Sequence, residues 1–259
     1  MIKPNKPKTT NKSNKPNKFS KESRDNDRKH SRKAKTRRGL GNKNVKDKRV
    51  NFLKIFSTNG ASVANGKGKS LNAEVGNTLA NIVTVQEMHY KQKGKFQMDP
   101  SFVLFEAIRK RKGGGTLVAI HEDLNPKLIE EYSEDFELLV VEVETEENQI
   151  RIMSGYGPQE NWDEEIRIPF FLALETEIEK AELSGKSIII EMDANSKLGP
   201  TYVPGDPHDM SPNGALLAGI IERHHLIVGN GSNKCTGTIT RFRKTKNRVE
   251  KSVIDFFIV

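Results

Sequence analysis

The 259-residue chain has a single cysteine, Cys235. That excludes an internal disulfide framework and fits a reducing compartment. No apolar run approaches the ~18 residues a membrane helix needs, and no stretch resembles a secretory signal. These absences predict a protein that is soluble, not secreted, and nuclear or cytoplasmic. The first fifty residues lack almost all large apolar side chains, and they hold 19 Lys/Arg against 4 Asp/Glu, a net of +15. Set against chain totals of 43 basic and 34 acidic groups, residues 51–259 carry 24 and 30, a net of −6. A segment so poor in apolar surface cannot offset its chain entropy. Residues 1–49 are therefore predicted to be a disordered basic arm, and residues 50–259 one α/β domain. RKAKTRR at 32–38 reads as a nuclear-import or polyphosphate-binding cluster, with a plain solubilising tail as the alternative. In either case the arm supplies salt-sensitive attraction to nucleic acid. There is no internal repeat.

The folded part is organised around SIIIEMDANSKLGP at 187–200. Three consecutive isoleucines read as a buried strand, closed by a polar turn. At its end Asp193 and Asn195, two residues apart, would face the same side if the chain stays extended. The alternative is that they only make the turn hydrogen bonds such residues favour. Further strands are predicted at 50–57, 81–86 and 102–108, and starting at 116, 136 and 149, the last two as a hairpin around Glu146, Glu147 and Asn148. More are expected at 226–229, 236–242 and 252–259. Helices are expected around 71–79, 162–183 and 214–224. In the second of these Asn161 is a candidate cap, and Pro169 confines the regular part to the residues after it. About nine or ten strands with three helices favour two mixed sheets packed together with helices outside.

Polar groups collect where strands end: Ser57 and Asn59, Glu87, Tyr156, Asp193 and Asn195, with Asp255 in the last strand. Glu87 and Asp193 are expected on neighbouring strands. Phosphodiester hydrolysis needs a hard cation such as Mg²⁺, held by one or two carboxylates, and Glu87 and Asp255 suit that. It also needs a group that orients or deprotonates water, which Asp193 can be, and donors aimed at phosphate oxygens, which Asn195 and Tyr156 can be. Each residue taken singly also has an ordinary structural reading.

The order of motifs is more informative than any one of them. TNG, VQEMH, GGGTLVAIH, SGYGPQ, EMDANSKLG, PNGALLAGIIERHHLIVGNG, TGTITRFR and SVIDFFIV together resemble the endonuclease/exonuclease/phosphatase superfamily over about 50–259. They look most like the endonuclease domains of non-LTR retrotransposons and craniofacial-development-protein-2-like sequences. The resemblance implies a four-layer α-β-β-α sandwich, a divalent cation (Mg²⁺ or Mn²⁺) and DNA phosphodiester cleavage. The alternatives are phosphatase or phosphodiesterase action on a small substrate, or an inactive nucleic-acid-binding protein. Position by position it implies Glu87 and Asn59 as metal-side ligands and Tyr156 as a donor to phosphate. Asp193 with Asn195 would position the water, and Asp255 would serve at the metal and as part of an Asp–His support. Ser57, Asn213, Thr238 and Arg241 would face substrate. Two departures stand out. Ser57 occupies the place of the family's first asparagine, and the family's closing Ser-Asp-His element has no match before the chain stops at Val259, so the domain is expected to lack that segment. Of the internal histidines, His121 and His208 are the ones to consider as replacements, and solvated loop positions are expected for both.

Overall fold

A computed structural model of the chain describes residues 53–60, 68–108, 114–244 and 249–259. The basic arm, its 32–38 cluster, the start of the first strand and the turn at 109–113 lie outside the described residues. Among the described residues, eleven strands and three helices succeed one another. They are β1 (Ile55–Asn59), α1 (Gly68–Thr78), β2 (Ile82–Gln86), β3 (Phe102–Ala107), β4 (Thr116–His121), β5 (Lys127–Tyr132), β6 (Glu137–Glu144), β7 (Gln149–Tyr156), α2 (Glu164–Leu183), β8 (Ser187–Asp193), α3 (Pro212–Arg223), β9 (Arg241–Lys244), β10 (Val249–Ser252) and β11 (Asp255–Ile258). One sheet has the order β1-β2-β4-β3, a second the order β11-β8-β7-β6-β5, and β9 and β10 form a separate hairpin. Both large sheets are mixed: β1/β2 and β7/β8 are parallel and their other pairings antiparallel.

Alternation along each strand builds the layers. Ile82, Val118 and Ile120 of the first sheet meet Leu139, Val141 and Ile152 of the second in a core between the sheets. The intervening residues point outward. Val83, Val85 and Leu117 pack under Leu71 and Val75 of α1. Leu138, Val140, Met153 and Ile190 pack under Phe170, Leu174 and Ile178 of α2 and Leu217 and Ile221 of α3. The result is the four-layer α-β-β-α sandwich. No helix among the described residues is long and apolar enough to cross a membrane.

Several expected boundaries move. Helix α2 is regular from Glu164 and runs through Pro169; its N-cap residue is Asp163 rather than Asn161, and the Asp163 side chain makes no capping hydrogen bond. So near the N-terminus a proline removes only one intrahelical bond, and the packing of Phe170 and Leu174 outweighs it. Residues 226–229 form only an isolated bridge, Val228 to Ile258, and then a 3-10 turn. The strand expected at 236–242 begins only at Arg241. β2 and β8 are not sheet neighbours, since they belong to different sheets that face each other.

Candidate active site

Topology brings the chemistry to one end of the sandwich. In the parallel pairs β1/β2 and β7/β8, C-terminal ends lie side by side, and β11 runs antiparallel to β8 so that its first residue, Asp255, pairs with Asp193. The polar residues after β1, β2, β7 and β8 thus face a single crevice across the two sheets, the usual place for a ligand in an open α/β architecture. Two of these residues hold left-handed backbone: Glu87 at φ 53 and Asn195 at φ 45. A side chain in that region stores strain, which gathers where a structure must aim a functional group.

The side chains are joined in a connected network, in which the Tyr156 hydroxyl is also hydrogen-bonded to the Asn195 side chain. The Tyr156 hydroxyl donates to Glu87 Oε1 at 2.9 Å. Asp193, fully buried, accepts from Asn59 Nδ2 at 2.7 Å on one oxygen and from the Asn195 backbone N–H at 3.0 Å on the other. The Asn195 carboxamide donates to the Gly157 carbonyl at 2.9 Å, and Gly157 N–H donates to the Asp193 carbonyl at 2.7 Å. This approach requires glycine, because a Cβ at 157 would lie 2.5 Å from the Ala194 carbonyl oxygen. Burial, with the facing Asp255 and Glu87 carboxylates, raises Asp193 well above the usual carboxylate range. Asp255 is pushed up to about 6, mainly by burial and further by Glu87. Burial and the Glu87 and Asp193 carboxylates also raise Tyr156, which therefore stays a neutral donor.

Solved structures share this architecture. The endonuclease domain of TRAS1, a telomere-specific non-LTR retrotransposon, matches with a TM-score of 0.55 at 17% identity over 80% of this chain and 84% of that one. AP endonuclease LMAP from Leishmania major matches at 0.61 with 11% identity, over 80% and 78%. The APE2 catalytic domain of Xenopus laevis matches at 0.61 with 15% identity, over 80% and 82%. The chain has the endonuclease/exonuclease/phosphatase fold. No family model matches the sequence, and no curated protein sequence does so either.

Within this fold the structure adds a residue that sequence reasoning missed. Glu191, two positions before Asp193 on β8, is only 6% exposed and lies between the Ser57 hydroxyl, to which it is hydrogen-bonded, and the Asp255 carboxylate. Burial pushes it up to about 8, Asp255 adds to that, and the Ser57 bond opposes it. Thr84 Oγ1 donates to Ser57 Oγ at 2.9 Å, so the hydroxyl at 57 is held from behind. A cavity of about 350 Å³ opens here, with Ser57, Asn59, Gln86, Glu191, Thr240 and Asp255 in its wall. The sequence signal was a glutamate inside an otherwise apolar strand, IIIEMD. Ser57 of the first sheet is thus paired with a buried carboxylate from the facing sheet.

A second cleft of about 390 Å³ beside Asn195 is lined by Lys197, Arg241 and Arg243. Of these only Arg241 was expected, and its charge is felt by both Asp193 and Asp255. The remaining candidates fall elsewhere. Asn213 is fully buried, donates to the Pro158 carbonyl at 2.8 Å and accepts from Arg167 at 3.0 Å, so it ties loops together behind the crevice instead of facing substrate. Thr238 contacts the Pro204 carbonyl at 3.5 Å and lines neither cleft. His208 lies 2.8 Å from the Lys251 carbonyl. His121 lines a cavity of about 790 Å³ with Asn81 and Phe102. That cavity adjoins the start of β2, the end of the sheet away from Glu87, so its size says nothing about the chemistry.

The donor set suits a hard divalent cation. Asp255 Oδ1 is buried with no hydrogen-bond partner, and Asp193 and Asp255 stay raised by burial and nearby carboxylates even though the Arg241 charge opposes this. Glu87 and Asp255, with Asn59 and Glu191 adjacent, offer the oxygen ligands that Mg²⁺ or Mn²⁺ takes.

Proposed function

We propose that the chain is a divalent-metal-dependent endonuclease that cleaves DNA phosphodiester bonds. The observation that carries this is the meeting of the Tyr156–Glu87 pair and the Asn59–Asp193–Asn195 set at one strand-end crevice, next to a cleft walled by Arg241, Arg243 and Lys197. A bound cation would neutralise charge developing on the phosphate. Asp193, fixed from both sides and with its proton affinity raised, orients an attacking water and accepts its proton. Tyr156, neutral at any physiological pH, donates to a nonbridging oxygen. Asn195 positions Asp193 through its backbone and locks the Gly157 loop through its amide, so it acts on the geometry of the base. Arg241, Arg243 and Lys197 contact flanking phosphates, and the basic arm adds sequence-independent attraction.

Nicking of supercoiled plasmid with Mg²⁺, set beside EDTA and beside p-nitrophenyl phosphate as a small phosphomonoester, tests this reading. We expect open circles only with metal, lost in Asp193→Ala, and little release of nitrophenol. Phosphomonoester cleavage without nicking would transfer the site to a small substrate. Nicking that survives Asp193→Ala would remove the site altogether.

A further inference from the structure

Away from the crevice, the outer helical layer carries a second cluster of metal-ligating groups. Glu175 and Glu179 lie one turn apart on α2 and so share a face. His224, the C-terminal cap of α3, meets them from the side. Among the described residues, these three form a group whose ligand atoms all lie within 4.8 Å of one another. The His224 side chain is only 10% exposed. Its Nδ1 lies 2.9 Å from Glu182 Oε2, while its Nε2 is buried with no hydrogen-bond partner, 3.5 Å from Glu175 Oε1. A carboxylate on one imidazole nitrogen, with the other nitrogen aimed at two further carboxylates, is how metal-binding histidines are oriented. The 3.5 Å separation matches the roughly 3.4 Å between ligand atoms around a tetrahedral zinc with ~2.0–2.1 Å bonds. An ordinary ion-pair network explains only part of this. Arg223 Nε takes the same Glu175 Oε1 at 2.6 Å, which leaves the imidazole nitrogen only a long 3.5 Å ion-pair contact to that oxygen and no hydrogen bond.

We propose that Glu175, Glu179 and His224 bind a zinc-like divalent transition metal that clamps the C-terminal half of α2 to the end of α3. Mixed nitrogen and oxygen ligands favour zinc over magnesium, which demands an all-oxygen octahedron. The site is distinct from the crevice. α2 returns from the end of β7 to the start of β8, and α3 starts beside Lys197 at the catalytic end, so the far ends of both helices lie at the opposite pole. Arg223, more than half exposed, can swing out when the metal enters.

Calorimetric titration of Zn²⁺ into the full chain tests the proposal, with far-UV circular dichroism to confirm that each variant is folded. We expect a saturable event of one metal per chain that disappears in His224→Ala and weakens at least tenfold in the exposed-site variant Glu179→Gln. Glu182→Gln should weaken it by about 10- to 100-fold through loss of imidazole orientation. Arg223→Gln should bind as tightly or more tightly. The event should persist in Cys235→Ser, which removes the exposed thiol. Co²⁺ bound in its place should show the visible absorption of a tetrahedral site, absent in His224→Ala. Zinc affinity unchanged by both His224→Ala and Glu179→Gln, or no saturable binding to the native chain, would overturn the proposal.

Discussion

Replacing Glu191 by Gln isolates the electrostatic cost of the crevice. The folded-state carboxyl holds its proton up to about pH 8, whereas an unfolded glutamate releases it near 4.5. Between those values the native state binds more protons than the unfolded one, so stability falls as pH rises through that window. At about 1.4 kcal/mol for each pH unit the ceiling on this loss is about 5 kcal/mol. Local relaxation and water entry reduce it, and about 2–3 kcal/mol is the expected size. Glutamine keeps the shape, can still accept from Ser57, and cannot ionise. Urea unfolding in EDTA should therefore find the two proteins within about 1 kcal/mol at pH 5 and the variant about 2–3 kcal/mol more stable at pH 8.5. Adding Mg²⁺ at pH 8.5 should stabilise the native chain more than the variant, because a cation relieves a charge that only the native chain has. A stability difference independent of pH would refute both the buried charge and its role in the cluster.

The same geometry sets three further outcomes. Gly157→Ala should disturb the β7–β8 loop contact and lower nicking at least tenfold with little change in the melting of the sandwich, since the clash is with the Ala194 carbonyl beside Asp193; unchanged nicking would show that this contact is not needed. Arg241→Ala with Arg243→Ala should weaken duplex binding across sequences and flatten its dependence on log salt by about 2 in slope, measured by fluorescence anisotropy. Deleting residues 1–48 should weaken binding further and flatten the slope while leaving circular dichroism and melting intact; an unchanged slope would take the arm out of the mechanism.

The sandwich was legible because its strands are buried and carry strong patterns. The β-branched run of β2, the β6–β7 hairpin and the IIIEMD strand all read directly from the sequence. β5 did not. Its KLIEEY sequence forms an exposed edge with a register shift between Leu128 and Glu130, and such a strand carries no burial signature. The late strands slipped because residues 236–240 look β-prone, yet only Thr240 has a ladder-like backbone bond, to Ser252 of β10, and Thr238 is held to the Pro204 loop by its side chain. At the candidate site, Tyr156, Glu87, Asp193, Asn195 and Asp255 stood out in the sequence because each lies at or beside a strand end, and the structure places them around one crevice. Glu191 was missed because it points inward from mid-strand, and its meaning depends on Ser57 of the other sheet. Asn213 misled for the opposite reason: its motif marks a helix start, and only burial shows that its amide is already satisfied by the Pro158 carbonyl.

In the proposed mechanism Asp193 handles the attacking water while other groups hold the metal. Single-turnover cleavage of an end-labelled duplex by the native chain and by Asp193→Asn, with Mg²⁺ and duplex affinities measured on the same samples, separates those two roles. Asp193→Asn should keep both affinities within a few-fold and lose about 10²–10⁴ in rate. A rate within threefold of the native chain, or a rate loss fully explained by lost Mg²⁺ binding, would contradict that division of labour.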